Sequence, residues 1–213
     1  MNTYLFDFDG TLVDSMPTYA ALMLNLLKEY NIPHTPDIIK TTTPLGYHGT
    51  AELFHRMGLP LPVEEIVSIM TRRAVEAYTF HVPAKAYVSD VLRALRARGD
   101  KLNVLTASPH AMLDPCLKRL GLYELFDHVW SCDDFKTTKA DPQIYRMAAK
   151  EIGAPVSEVI FLDDNPGADR TAKAAGMRVI GVYDDSSAEY EQEMRCICDA
   201  YIHDFSELPA YFI

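Results

Sequence analysis

The amino-acid sequence predicts an α/β fold, in which a parallel sheet core carries helices on both faces and a small α-helical domain is inserted near the N-terminus. Three observations predict this fold. Short apolar runs recur along the chain, amphipathic helical patterns separate them, and residues 15–80 show helical patterns only. Strands that alternate with helices form parallel sheets with right-handed crossovers. A chain of 213 residues is long enough to bury a sizeable core.

Six short runs are the predicted strands. They are apolar throughout rather than alternating, as expected for strands that helices cover on both faces. In chain order they are residues 3–8, 102–107, 128–132, 159–162, 178–183 and, as a weaker prediction, 200–203.

Capping residues and glycines indicate the helices between these strands. Ser108-Pro109 and Asp141-Pro142 each place an N-capping side chain before a proline, which is typical of a helix start. Gly121 and Gly153 follow the two apolar stripes and predict where these helices end. Another amphipathic helix is predicted around residues 91–95.

The long stretch without a strand is predicted to be a separate domain. Apolar residues recur at helical spacing within residues 15–80, for example in residues 20–27. The predicted core domain therefore comprises residues 1–14 and 81–213, and residues 15–80 form the inserted helical domain.

The charge balance disfavours nucleic acid as a partner unless a local basic patch or a metal intervenes. The chain has 30 acidic and 20 basic residues and a net charge of −10, and such a surface repels the phosphates of nucleic acid. No apolar run approaches the roughly 18 residues of a membrane span. Two carboxylates within the first nine residues argue against a signal peptide. The four cysteines lack the spacing of a disulfide framework or a zinc site. From these observations together we expect a cytoplasmic protein without a membrane or nucleic-acid partner.

Polar residues stand at the predicted carboxyl ends of the strands, where open α/β sheets bind their ligands. Alternation along the first strand predicts that Asp7 and Asp9 share one face. The other polar residues at this edge are Thr106, Lys139, Asp163 and Asp164.

Four clustered carboxylates repel one another unless a cation neutralises them. Mg²⁺ prefers carboxylate, carbonyl and water oxygens. A cation beside a lysine, a hydroxyl and backbone N–H groups is a phosphate receptor. One carboxylate there can attack phosphorus while a second carries the proton.

Four segments in this order resemble the signatures of the haloacid dehalogenase superfamily of phosphohydrolases. They are DFDGTLVDS at residues 7–15, Thr106 at the end of LNVLT, Lys139 in KADP, and FLDD at residues 161–164. The resemblance covers essentially the whole chain and implies a Rossmann-like core. The acidic pair and the insertion are similar to the subgroup with a small helical cap, which includes phosphoglycolate phosphatases and β-phosphoglucomutases.

The resemblance implies a role for each signature residue. Asp7 would be the nucleophile that forms an aspartyl-phosphate, and Asp9 the general acid that later activates water. Thr106 would bond a phosphoryl oxygen, and Lys139 would bind the phosphoryl group and orient Asp7. Lys136 is the competing lysine, but the spacing to Asp141-Pro142 favours Lys139.

The metal predicted by the resemblance is Mg²⁺. Asp7, the backbone carbonyl of Asp9 and Asp164 would bind it directly. Asp163 would act through water or as a hydrogen-bonding partner of the ligands, and direct ligation of the metal by Asp163 stays open. Asp169, five residues after Asp164, stays outside this set because its alignment is ambiguous.

Further residues are expected to contact the substrate. Gly10 and Ala107 adjoin the phosphate, and Tyr47 and His48 lie in a predicted glycine-bounded turn of the cap that would face the leaving group. A solvated surface turn is the alternative for Tyr47 and His48. The motif lysine is followed by Ala140 where many relatives have proline.

The resulting hypothesis is a Mg²⁺-dependent phosphatase for a small phosphorylated metabolite, acting as a monomer or homodimer. A sugar phosphomutase of the β-phosphoglucomutase type uses the same aspartyl-phosphate and stays open, although Thr11 is the commoner phosphatase residue. A metal-free dehalogenase is disfavoured because it lacks the second acid at the position of Asp9. A non-catalytic phosphate-binding module is expected to lose at least one of these residues.

Overall fold

The computed structural model describes residues 1–211 and contains a six-stranded parallel sheet. The strand order is β3-β2-β1-β4-β5-β6, which is the Rossmann order and confirms the predicted fold class. The strands are β1 (Thr3–Phe6), β2 (Lys101–Thr106), β3 (His128–Ser131), β4 (Val159–Asp163), β5 (Arg178–Val182) and β6 (Ala200–Ile202).

The helices in chain order are α1 (Met16–Glu29), α2 (Ile38–Thr42), α3 (Gly46–Arg56), α4 (Val63–Phe80), α5 (Val88–Ala97), α6 (His110–Arg119), α7 (Pro142–Ile152), α8 (Pro166–Ala175) and α9 (Glu191–Ile197). Short 3₁₀ helices lie between several of them. Within the described residues, no helix is both long and apolar enough to span a membrane.

The chain divides into two compact units. The first consists of Met1–Asp14 and the chain from Val82 onward, and the second is Ser15–His81. The second junction lies one residue later than the sequence predicted. Within the second unit, the apolar faces of α1, α3 and α4 form a core that includes Leu27, Phe54 and Met70.

The core of the first unit packs against its sheet. On one face, Leu5 and Phe161 of the strands are buried with Tyr145 of α7 and Ala172 of α8. On the other, the Phe6 ring lies against two aromatic side chains, Phe126 and Phe205. Both faces of β1 are therefore covered, which explains why its sequence is apolar throughout.

The central strand β1 ends two residues earlier than predicted. The Asp7 N–H still donates to the Leu162 carbonyl at 2.8 Å, but the Phe8 carbonyl accepts the N–H groups of Leu12 and Val13. The chain thus turns immediately after Asp7. Asp9 therefore lies in the turn, and the predicted alternation along a strand does not determine the direction of its side chain.

One predicted helix start is confirmed and the other is wrong. The Asp141 side chain accepts the Gln143 N–H at 2.9 Å, and α7 begins at Pro142. By contrast, α6 begins at His110 with Pro109 as its N-cap, and no side chain caps it. The Ser108 hydroxyl therefore does not cap α6.

Candidate active site

Asp7 and Lys139 form the centre of the candidate site. Asp7 follows β1, the middle strand at which the strand order changes direction, and only 6% of its surface is exposed. Lys139 Nζ donates to Asp7 Oδ1 and, at 2.7 Å, to Asp163 Oδ2. One ammonium group therefore bridges carboxylates at the ends of two adjacent strands. Lys136, the competing lysine, is exposed.

Two further carboxylates complete an acidic cluster. Asp163 is the last residue of β4, and its Oδ1 accepts the Asn165 N–H at 2.8 Å. Asp164 Oδ1 accepts the Thr11 hydroxyl at 3.2 Å. One carboxylate oxygen from each of Asp7, Asp163 and Asp164 lies within 4.8 Å of the others.

Glycine is required at position 10 for two reasons. Its φ of +73° is left-handed, and a Cβ there would lie 2.6–2.8 Å from the Asp164 carboxylate atoms. The Gly10 N–H donates to the Val13 carbonyl at 3.0 Å. Gly10 therefore allows the backbone to lie close to the Asp164 carboxylate, and its N–H stabilises the turn after β1.

Asp9 and Thr106 are both hydrogen-bonded to Ser108, in the turn that follows β2. The Ser108 hydroxyl donates to Asp9 Oδ2 at 2.5 Å, and the Ser108 N–H donates to Thr106 Oγ1 at 3.0 Å. Thr106 is buried, whereas Ala107 between these two residues is exposed. Asp9 itself is half-buried and stands outside the three-carboxylate cluster.

Burial makes the acidic cluster difficult to ionise. Loss of solvent raises the pKa of Asp7 to about 8 against the opposing effect of Lys139, and the charges of Asp163 and Asp9 add to the rise. Burial, followed by the charges of Asp163 and Asp7, also raises the pKa of Asp164. The pKa of Lys139 is raised by the two acids despite its burial.

The cluster fits a hard divalent cation. Its donors are carboxylate oxygens that converge within 4.8 Å. Asp7 and Asp163 are buried and Asp164 is half-buried, so that uncompensated negative charge there is costly. Asp7, Asp163 and Asp164 are the residues whose side chains could hold such an ion.

Lys85 stabilises the turn after β1 that carries Gly10, and the sequence did not indicate this role. Its ammonium donates to the Gly10 carbonyl at 2.7 Å, to the Tyr183 carbonyl at 2.5 Å and to Asp184 Oδ2 at 2.9 Å. The Asp184 carboxylate is only 5% exposed. These partners lie at least 75 residues away along the chain, so no local pattern reveals the contact.

Asp169 is buried but does not join the acidic cluster. It is fully buried, and burial raises its pKa. Cys198 Sγ donates to its Oδ2 at 3.1 Å, while its Oδ1 has no hydrogen-bond partner among the described residues. This placement agrees with leaving Asp169 out of the metal set.

Tyr47 and His48 lie in a helix, so the predicted turn is wrong. Both residues belong to the first turn of α3, which begins at Gly46. The Tyr47 ring stacks on Tyr19 with centroids 6.4 Å apart, and His48 Nε2 lies 3.4 Å from Glu52 Oε1. Helix formation here pairs residues four apart along one face. Their contact with a substrate stays a prediction.

Comparison with known proteins identifies the class of enzyme that has this fold and this acidic site. A family profile described as haloacid dehalogenase-like hydrolase matches residues 1–176. The chain belongs to this family of hydrolases, which confirms the predicted superfamily and the prediction of an enzyme.

Individual relatives agree with that assignment. The phosphoglycolate phosphatase of Escherichia coli (strain K12) is 29% identical, over 83% of this chain and 79% of its own length. A predicted phosphoglycolate phosphatase from Haemophilus somnus has a TM-score of 0.83 at 21% identity, covering 100% of this chain and 98% of that one. CbbY from Rhodobacter sphaeroides, solved in complex with phosphate, has a TM-score of 0.79 at 23% identity and covers 98% and 96% of the two chains.

Proposed function

We propose that this protein is a Mg²⁺-dependent phosphatase that hydrolyses a small phosphomonoester through an aspartyl-phosphate on Asp7. The observation that carries the proposal is the buried Asp7 carboxylate, bridged by Lys139 and converging with two further acids at the carboxyl end of the sheet. A family of hydrolases and relatives named as phosphatases support the same activity.

The first half of the reaction transfers the phosphoryl group to the protein. An Asp7 carboxylate oxygen forms a bond to phosphorus while the bond to the ester oxygen breaks. Asp9 donates a proton to that departing oxygen. Lys139 and Thr106 bind phosphoryl oxygens, with Lys139 already in contact with the nucleophile.

The second half releases phosphate. Asp9, now a carboxylate, removes a proton from water as the water oxygen attacks phosphorus and the bond to Asp7 breaks. Both protons are accounted for, since Asp9 gives one in the first step and regains one in the second. Asp7 returns as a free carboxylate.

The metal site of this proposal uses Asp7, Asp164 and the Asp9 carbonyl, with Asp163 as a partner of the ligands. Mg²⁺ bound there would neutralise the cluster and polarise a phosphoryl oxygen. Asp163 is already bonded to Lys139 and to the Asn165 N–H, which supports a role in orienting the ligands.

The substrate is proposed to be a small phosphorylated metabolite. Relatives named phosphoglycolate phosphatase make phosphoglycolate the first ester to test. Tyr47 and His48 of α3 are the proposed contacts of the helical unit with the leaving group.

The experiment is a screen for release of phosphate from phosphoglycolate, sugar phosphates, nucleoside monophosphates and an aryl phosphate, with Mg²⁺ and with chelator. We expect release that requires Mg²⁺, with one small ester preferred. Metal-independent release would contradict the proposal. Isomerisation of a sugar phosphate that requires a catalytic sugar bisphosphate, with little release of phosphate, would assign the mutase instead.

A further inference from the structure

Ser108 contacts the proposed general acid directly. Its hydroxyl donates to Asp9 Oδ2 at 2.5 Å, across 99 residues of chain. This distance is at the short end of the range of O–H···O hydrogen bonds, roughly 2.5–3.0 Å. The bond connects the turn after β1 with the turn after β2, and thus two of the signature segments.

The local backbone directs this hydroxyl away from the following helix. The Ser108 N–H is bonded to Thr106 Oγ1 at 3.0 Å, which fixes the turn that contains both hydroxyls. Pro109 follows with φ −70° and acts as the N-cap of α6, which no side chain caps. Serine before a proline usually supplies a helix cap, but here its hydroxyl bonds Asp9.

We infer that Ser108 is a positioning residue that orients the Asp9 carboxyl group for proton transfer to the departing oxygen. The inference rests on the proposed function. By holding Oδ2, the serine hydroxyl restrains rotation of the Asp9 carboxyl group. The proton of Asp9 passes to the ester oxygen as the bond between that oxygen and phosphorus breaks, and loss of the serine hydroxyl removes this restraint from the transfer.

Leaving-group dependence separates this role from a general structural one. A nitrophenolate departs readily without a proton, whereas an unsubstituted phenolate gains more from one. A variant that misorients the acid therefore loses more activity on phenyl phosphate than on 4-nitrophenyl phosphate. A variant that merely loosens the site loses the same factor on both esters.

The experiment measures kcat/KM for both esters at saturating Mg²⁺ in the wild type, Ser108→Ala and Ser108→Thr. Ser206→Ala is the matched control, because the Ser206 hydroxyl also donates to an aspartate, Asp204 Oδ1, at 2.5 Å, but outside the site. For Ser108→Ala we expect the loss on phenyl phosphate to be about tenfold larger than on 4-nitrophenyl phosphate, a fraction of what general acids contribute.

Rescue by the conservative variant completes the test. Ser108→Thr keeps the hydroxyl and is expected to restore most of the phenyl phosphate activity, and Ser206→Ala to leave both esters unchanged. An equal loss on both esters, or none, would overturn the role of Ser108 while leaving the phosphatase intact. Absence of phosphate release from these two esters and from every ester of the screen above, by a wild type that is folded as judged by circular dichroism, would overturn the proposed function and this inference together.

Discussion

At the scale of single residues, the ionisation of Asp7 links the site to the stability of the protein. Burial raises its pKa to about 8 from an ordinary value of 3.8. Between those two pH values the folded state holds a proton that the unfolded state has released. Stability from this group is therefore greatest at low pH and falls as the pH rises towards 8.

The first prediction concerns this pH dependence. In chelator, the melting temperature is expected to be higher at pH 6 than at pH 8, and Mg²⁺ is expected to raise it more at pH 8, where protons compete less for the carboxylates. Thermal melts at both pH values measure it.

The control for this prediction is Asp7→Asn, in which position 7 cannot ionise. This variant is expected to lose much of the slope of melting temperature against pH. The control is needed because three other groups give a slope of the same sign: His110, whose pKa is raised mainly by its hydrogen bond to Asp114, and Asp164 and Asp169, whose pKa values are raised mainly by burial. An unchanged slope in Asp7→Asn would show that Asp7 does not titrate in this range.

The second prediction compares two glycines with nearly the same φ angle. Gly10 has φ +73° and Gly153 has φ +75°, but a Cβ would meet Asp164 at the first and nothing within 4 Å at the second. Both alanine variants are expected to lose about 1 kcal/mol from left-handed strain. Only Gly10→Ala is expected to lose activity, by about 100-fold, because it displaces Asp164.

Urea unfolding and phosphate release measure the two effects. Equal activities in Gly10→Ala and Gly153→Ala would mean that close packing against Asp164 is not required for turnover.

At the scale of elements, Lys85 joins the turn after β1 to the end of β5. It pairs with buried Asp184 and also satisfies the carbonyls of Gly10 and Tyr183. Removing one partner of such a pair leaves a buried charge and two unsatisfied carbonyls. The turn after β1 and the end of β5 are thus fixed by a lysine–aspartate pair that is not itself part of the acidic cluster.

The third prediction follows from this contact. Lys85→Met is expected to reduce the free energy of unfolding by about 3 kcal/mol. Lys173→Met is the matched control, since Lys173 and Asp199 form a lysine–aspartate pair at 2.7 Å whose side chains are 36% and 41% exposed. That surface pair is expected to contribute at most about 1 kcal/mol.

Urea denaturation of the two variants tests this comparison. Equal losses in Lys85→Met and Lys173→Met would contradict a structural role for the buried pair.

Elements also show what the sequence could and could not predict. Asp7 and Asp163 were predictable because each stands at or just beyond a strand end of a parallel sheet, where topology brings residues together. Lys139 lies well beyond the end of β3, and its spacing to Asp141-Pro142 predicted it. Ser108 and Lys85 were not predictable, since their partners come from turns 75 to 99 residues away. Position 108 was interpreted as a helix cap because local spacing is the same for both uses of serine.

The helical unit shows the same limit. Gly46 and Gly49 bound residues 47 and 48 and indicated a turn, but the apolar stripe of α3 packs into the core of its unit. Tertiary packing therefore overrides the low helix propensity of glycine.

At the scale of the whole molecule, the two compact units have separate apolar cores. Backbone bonds pair the chain segments at the junction within the first unit, from Asp14 N–H to the Pro83 carbonyl and from Lys85 N–H to the Leu12 carbonyl, both at 3.0 Å. The two ends left by removal of the second unit are therefore adjacent.

The fourth prediction is that replacing residues 15–81 with a short glycine-rich linker leaves the first unit folded. A cooperative melt and a rise in melting temperature with Mg²⁺ are the expected results, because the sheet, its core and the acidic cluster all belong to that unit. Absence of a cooperative melt would show that the sheet domain depends on the helical unit for its stability.

The most direct test of the account is phosphate release from 4-nitrophenyl phosphate by the wild type, Asp7→Asn and Asp90→Asn, each with Mg²⁺ and with chelator. Asp90 is an exposed acid in the first turn of α5 and serves as the matched control. We expect Mg²⁺-dependent turnover that falls by about 10⁴-fold or more in Asp7→Asn, the scale seen when a nucleophile is removed, and is unchanged in Asp90→Asn. Turnover that persists in Asp7→Asn or in chelator would contradict it.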